Sequence, residues 1–423
     1  MGGRVGMIAT SRRVASGLVV PLLLAACSPS DSTPISTTIA PTTTATTIAP
    51  TTTVARPTTT TTESPIVLIS VSGIEDGELT AAVGLGLSTI RDPRVAGAVV
   101  AGVITHHEGA ASGLDDSYTA EATVAELADG SRVAVATLAG GDLLLLSDEG
   151  SGWVTVGAHL GSIGADPYFG ESPRRVLVLG SDARPGGDAS VHRMDSIHIL
   201  TSVPSERAGS ILGYPRDSWI DSEYGSMRMN ALTSSGRGPD ALFEFFTDTW
   251  EVPLEGYILT GFAGFEDLVG AAFGRLRLTI PIPIPTQEWF DGFSSGEQTL
   301  NPTRLLDFAR TRKLIPGGDF TRSYHHGVVM LAALATIQQG SIHDMPALLA
   351  ILSRFTETNL TATDLLQLGA AAFEMDVEAI TNEVLPGSLG RATGGASVVF
   401  LDPGFELIVQ DVIDDGLRND SAG

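Results

Sequence analysis

Between Val176 and Arg322, arginine and aspartate occur together in short clusters just past apolar, strand-like runs. VLVLGSDAR carries Asp182 and Arg184, HRMD carries Arg193 and Asp195, and GYPRD carries Arg216 and Asp217. FARTR adds Arg310 and Arg312, and GDFTR adds Asp319 and Arg322. Guanidinium forks match phosphate oxygens in bidentate geometry. Aspartates beside them suit a divalent metal on the same anion. The implied ligand is a phosphate or a pyrophosphate. The chain as a whole is acidic, with a formal net charge of −24, so this arginine is a local feature. The acidic balance argues against nucleic acid as a partner, because a phosphate backbone needs a basic face.

Taken singly, each cluster has a plainer reading. Asp182 follows a strand and precedes turn residues, a place that suits a ligand or an Asx turn. Arg193 and Asp195 are two apart, which on a regular strand puts both on one face; a surface ion pair would look the same. Arg310 and Arg312 would diverge by about 200° on a continuing helix. If both serve one ligand, the helix must end near Arg310.

The elements around these residues read as alternating strands and helices. RRVLVLGSD is a near-continuous apolar strand of the kind covered on both faces, and SIHILTSV and GSILGYPRD are two more. PDALFEFFTDTW has helical spacing, GYILTGFAGFEDLVGAAFG reads as strand then helix, and RLRLTIPIP as a strand. NPTRLLDFARTR reads as a helix with Pro302 in its first turn, followed by HHGVVMLAALATIQ and MPALLAILSRF as helices and ASVVFLDPG as a closing strand. The alternation predicts a layered α/β domain over 172–405, with 406–423 as a tail. Ahead of it, residues 66–168 read as a small β-rich accessory domain. IVLISVSG, AGAVVAGVITH, SRVAVATLAG, GDLLLLSD and SGWVTVGAH are its expected strands, with a short helix near Thr80–Ile90. His106, His107 and Glu108 stand together there, but neighbours on a strand point to opposite faces, so they are expected to be exposed and not metal ligands.

The Arg/Asp clusters, taken in order, resemble the LytR-CpsA-Psr family of cell-envelope proteins. VLVLGSDAR, HRMDSIHIL, GSILGYPRDSWI, MRMNAL, FARTR, GDFTR and the late GGASVVFLDP carry the resemblance. It implies a layered α-β-α domain around a central mixed sheet. It implies transfer of a glycopolymer from a polyprenyl-pyrophosphate carrier to peptidoglycan through a new phosphodiester, with Mg²⁺ assisting and pyrophosphatase as a side activity. By the matching positions, Asp182 and Asp195 stand near the metal. Arg184, Arg193, Arg216, Arg310, Arg312 and Arg322 hold pyrophosphate oxygens. Asp182, Asp195 and Arg216 are the candidate catalytic residues, either aspartate being the candidate base, and Asn230 matches the family's Asn after PRD. The chain departs from the pattern where His325 and His326 replace an Arg and a Gln, and where Ala-Phe-Gly replaces a Gly-Gly before Arg277. The alternative is a lipoprotein that binds polyprenyl pyrophosphate or wall polymer without turnover. A polyprenyl chain needs an apolar groove. Phe243, Phe245, Phe246, Phe262 and Phe265 are candidates for it, although the same residues suit an ordinary core.

Residues 1–26 read as an export signal, with Arg12 and Arg13 before the short apolar run Leu18–Ala26. The run ends in LAAC, and Cys27 is the only cysteine. That is the lipobox pattern, in which the cysteine carries the lipid. Residues 27–65 are mostly Thr, Pro, Ser and Ala and read as an unfolded tether. The expected location is the extracytoplasmic face of the bacterial membrane, lipid-anchored at Cys27 and facing the wall.

Overall fold

The computed structural model describes residues 65–418, apart from 185, 186 and 235. The signal, Cys27 and the tether lie outside the described residues.

Short apolar runs build the first sheet from β1 (Ser70–Ser72), β2 (Ser117–Glu126), β3 (Arg132–Leu138), β4 (Leu143–Asp148) and β5 (Val154–His159), in that spatial order. Helices α1 (Gly77–Arg91) and α2 (Ala101–His107) cover one face. α1 begins where the Asp76 carboxylate accepts the amides of Glu78 and Leu79, a side-chain N-cap. The run AGAVVAGVITH, expected as a strand, is α2 in its second half, with only Val99 making a bridge to Thr155. Consecutive apolar residues suit a buried strand and a buried helix equally, and here Val103 and His107, one turn apart, face the core. His107 is therefore buried, not exposed, and bonds the Val103 carbonyl at 2.8 Å.

The second sheet contains β6 (Arg174–Ser181), β7 (Met194–Val203) and β8 (Ala208–Gly213). A small hairpin follows, β9 (Trp219–Ser222) with β10 (Gly225–Arg228), and then the short helix α3 (Asp240–Glu244). Next come β11 (Gly256–Thr260), α4 (Phe262–Ala272), the pair β12 (Leu276–Ile280) and β13 (Gly296–Leu300), α5 (Pro302–Arg310) and α6 (Asp319–Ile337). The chain continues with α7 (Met345–Phe355), β14 (Glu357–Thr358), α8 (Ala362–Glu374), β15 (Ile380–Val384), the pair β16 (Gly387–Arg391) and β17 (Ser397–Leu401), and α9 (Phe405–Asp414). The central sheet runs β14-β11-β6-β7-β8-β15 and is mixed: β11 with β6 and β8 with β15 are parallel, the other pairs antiparallel. α3 and α9 pack on one face through Leu242, Val409 and Val412, and α6 packs on the other, against β7, β8 and β15. This is the layered α/β domain that the alternation predicts.

The domain runs past the expected boundary at 405, because α9 is part of the core and not a tail. Arg175, buried at the start of β6, donates to the α9 carbonyls of Val412 at 3.0 Å and Ile413 at 2.5 Å. Carbonyls of a last helical turn lack an intrahelical partner, and a guanidinium supplies one. The amphipathic spacing of FELIVQDVID carried this signal.

The first sheet has its own core against α1. Its other face packs on α7 and α8, where Val135, Leu145, Leu349, Leu366 and Ala370 form one cluster. The boundary near residue 170 is thus a change of sheet within one packed unit. Truncating fully buried Leu366 to Ala should cost about 3 kcal/mol and lower the urea midpoints of the first and central sheets together. Hydrogen exchange of β3 and β6 across the transition checks this, and a β3 that opens at an unchanged urea concentration would contradict the shared core.

Candidate active site

The site forms at the end of β6 and the start of β7. Pairing steps there from Gly180–Ser196 to Ser181–Met194, so Asp195 is the extra residue of a β-bulge. A bulge breaks strand alternation and re-aims a side chain. Arg193 falls just before the strand and is exposed, so the shared face expected for Arg193 and Asp195 does not form. Asp195 points instead to two other arginines. Arg216 Nη1 donates to its Oδ1, and Arg322 Nη1 stands 3.7 Å from its Oδ2. Arg322 Nη2 also donates to the Asp195 carbonyl at 3.3 Å.

Arg216 lies just past β8 and is anchored at both ends of its turn. The preceding Tyr214 is buried edge-on against Phe246, ring centroids 4.8 Å apart, and the Asn230 amide donates to the Arg216 carbonyl at 2.9 Å. Asn230 Nδ2 donates to Asp217 Oδ1 at 3.4 Å, and Arg228 Nε is 3.7 Å from the same oxygen.

Arg322 lies one turn into α6. Gly317 and Gly318 precede that helix with φ of 75° and 57°, a region where only glycine is unstrained. The turn places Asp319 at the helix start, 2.5 Å from Arg322 Nη2 and 3.9 Å from Arg216 Nε. Burial pushes the Asp319 carboxyl above its ordinary range, against the pull of Arg322 and Arg216, and Asp217 adds to the rise. Asp319 was absent from the candidate site although GDFTR displays it. The missing signal was that the two glycines turn it inward.

Beside this charge cluster a cavity of about 290 Å³ opens between the central sheet and α4–α7. Phe262, Phe265, Phe273, Leu306, Val329 and Met330 give it an apolar wall. Asp195, Arg310 and Arg322 also line it, so the cavity joins a charged end to an apolar body. Of the five phenylalanines considered, Phe262 and Phe265 line the cavity, whereas Phe245 and Phe246 are core on the opposite face of the sheet, with Phe243 packed against them.

α5 ends at Arg310, with Thr311 extended at φ −70° and ψ 125°, as the Arg310/Arg312 pair requires. The Arg310 guanidinium sits 4.3 Å above the Phe262 ring, and Arg312 is exposed. Arg184 is exposed and lines an adjoining, more polar cavity that includes Arg354 and Glu357. Asp182 is partly exposed, its Oδ1 3.7 Å from His192, and its amide donates to the Arg193 carbonyl at 3.0 Å. Among the described residues, no three His, Cys, Asp or Glu side chains form a closed metal cage. Two carboxylates at adjacent strand ends, completed by phosphate oxygens, fit the way Mg²⁺ is bound.

His325 and His326, which replace an Arg and a Gln of the family pattern, are both neutral and differ in what they touch. His325 is 0% exposed, stacked 4.3 Å from Phe308, with neither ring nitrogen hydrogen-bonded. Burial lowers its pKa to about 4. His326 lines the cavity and is held neutral by burial, reinforced by His198 and Arg322. His198, fully buried, is likewise lowered to about 4 by burial.

The LytR_cpsA_psr family model matches residues 165–404. TagV of Bacillus subtilis (strain 168), a polyisoprenyl-teichoic acid–peptidoglycan teichoic acid transferase, is 27% identical over 231 residues, 51% of this chain and 58% of that protein. A transferase of the same description, TagU of Bacillus cereus (strain AH820), is 29% identical over 192 residues, 45% of this chain and 61% of that protein. The matches thus span about six-tenths of these relatives' length. The crystal structure of B. subtilis TagV matches with a TM-score of 0.50 at 23% identity, covering 59% of this chain and 98% of that one. The structure of gbs0355 from Streptococcus agalactiae gives 0.50 at 22%, covering 59% and 90%. These structures share the fold of the second sheet and its helices.

The neutral histidines set an acid limit on stability. A folded-state pKa below the unfolded value of 6.5 gives stability that is whole above pH 6.5 and lost as pH falls toward about 4. His198 and His325 each contribute on the order of 3 kcal/mol to that loss. His325→Phe keeps the stack on Phe308 and removes one titration. Urea midpoints should therefore fall less between pH 6.5 and 4.5 in this variant than in the parent, and equal slopes would contradict the assignment.

Proposed function

The chain belongs to the LytR-CpsA-Psr family, and from that premise we propose that it transfers a glycopolymer from a polyprenyl-pyrophosphate carrier to peptidoglycan. The observation that carries the reading is the junction of the Asp195–Arg216–Arg322–Asp319 cluster with an apolar cavity. A prenyl pyrophosphate has the same two-part character, a dense anion on a hydrocarbon chain.

In this reading the prenyl chain enters the cavity between Phe262 and Val329. Arg216, Arg310, Arg312 and Arg322 face the pyrophosphate oxygens, and Arg184 and Arg193 stand at its outer edge. A peptidoglycan hydroxyl attacks the phosphorus next to the polymer. The new O–P bond forms, the bond to the bridging oxygen breaks, and prenyl monophosphate leaves with its electron pair. Asp182 or Asp195, the two carboxylates at these strand ends, accepts the hydroxyl proton. Mg²⁺, held by Asp182 and Asp195, would neutralise charge on the phosphate oxygens. Phosphoryl transfer depends mostly on such positioning and charge stabilisation. Water in place of the sugar hydroxyl gives the pyrophosphatase side activity. Cys27 lipidation, with residues 28–65 as tether, places the domain outside the membrane facing the wall; no described helix is long and apolar enough to cross a membrane.

The second reading, binding without turnover, draws on His325, which is buried in the core and gives the anion no donor. One assay separates the two. With a polyprenyl-pyrophosphate-linked sugar and Mg²⁺, Arg216→Ala should release prenyl phosphate about 10²-fold more slowly than the parent, and chelation by EDTA should slow the parent as well. Equal rates for parent and variant would contradict the transferase reading, and tight binding without product in the parent would favour the second. For the anchor, Cys27→Ser should abolish incorporation of labelled fatty acid in the producing cell, and undiminished labelling would overturn the lipobox assignment.

A further inference from the structure

Helix α5 stops at Arg310, whose side chain lines the cavity, yet its own sequence gives little reason to stop. There is no glycine after it, and Thr311-Arg312-Lys313 are tolerated in helices. A helix that stops leaves its last carbonyls without amide partners. The Ala309 carbonyl is one of these, and its acceptance is met from another helix. His326 Nε2 lies 2.8 Å from Ala309 O. A carbonyl can only accept, so Nε2 carries the proton and Nδ1 is the bare nitrogen. Nδ1 is buried without a partner, so the ring is committed to this one bond. His326 is one turn beyond Arg322 on α6, and Arg310 follows Ala309 directly. A single hydrogen bond therefore joins the helix carrying Arg322 to the helix end carrying Arg310, and both arginines line the same cavity.

We infer that His326 is a positioning residue: it caps α5 from α6 and so aims Arg310 over Phe262 at the charged end of the cavity. The inference rests on the proposed anion site only in the purpose it gives to Arg310; the cap itself is independent of any ligand. Glutamine has a donor of comparable reach, so His326→Gln keeps the bond, whereas His326→Leu keeps the volume and removes the donor.

The test has a ligand-free arm and a ligand arm. In the parent, ring ¹⁵N shifts should show a protonated Nε2 and a bare Nδ1; the opposite tautomer overturns the cap. Amide exchange at Arg310–Lys313 should quicken about tenfold in His326→Leu and stay near the parent rate in His326→Gln. Unchanged exchange in the leucine variant, or a glutamine variant that behaves like it, overturns the inference. With farnesyl diphosphate and farnesol as probes, the leucine variant should bind the diphosphate about tenfold more weakly, a difference of 1.4 kcal/mol, and farnesol as the parent does. Loss of both equally would mean that His326 only shapes the apolar wall, and overturns the aiming role. If the parent does not bind farnesyl diphosphate while the exchange and tautomer results hold, the cap stands and the pyrophosphate reading fails.

Discussion

Asp195 held between Arg216 and Arg322 is the contact on which the rest of the site depends. Arg322 is 4% exposed, and a guanidinium so far from water is tolerable only with its charge matched. Asp195 and Asp319 supply that match. Three features of the fold exist where this contact needs them: the bulge that frees Asp195 from strand alternation, the Tyr214 anchor before Arg216, and the two-glycine turn that starts α6 at Asp319. Loss of either partner would leave an uncompensated charge in a place built to exclude water.

The inner cluster is balanced. Arg216, Arg228 and Arg322 face Asp195, Asp217 and Asp319, so its role is to fix geometry. Net positive charge comes from Arg184, Arg193, Arg310 and Arg312, which have no ion-pair partner among the described residues. This division gives an acidic chain a local group of arginines whose charge is not cancelled by an ion pair. It also explains why the end of α5 matters: Arg310 is the unpaired cation that touches both the aromatic wall and the charged end.

The sequence carried much of this. Strand β6 was legible because it is buried on both faces, and α5 because Asn301 and Pro302 open it; Asn301 Oδ1 accepts the Arg304 amide at 2.9 Å. The family resemblance located most of the charged residues. What it could not supply was direction. Periodicity assigns faces only where a strand is regular, so the bulge at Asp195 was invisible and Arg193 was placed beside it. AGAVVAGVITH failed for a related reason, since an unbroken apolar run has no period to read. His325 shows the limit most sharply. It stands where the family has an arginine, and packing against Phe308 makes it core.

The central claim is that one ligand bridges the charged cluster and the apolar cavity. A crystal structure with a bound prenyl diphosphate tests it most directly. The account predicts phosphate oxygens within hydrogen-bond distance of the Arg216 and Arg310 guanidiniums and the hydrocarbon between Phe262 and Val329. A diphosphate bound elsewhere, or one at these arginines with its chain in solvent and the cavity closed, would contradict it.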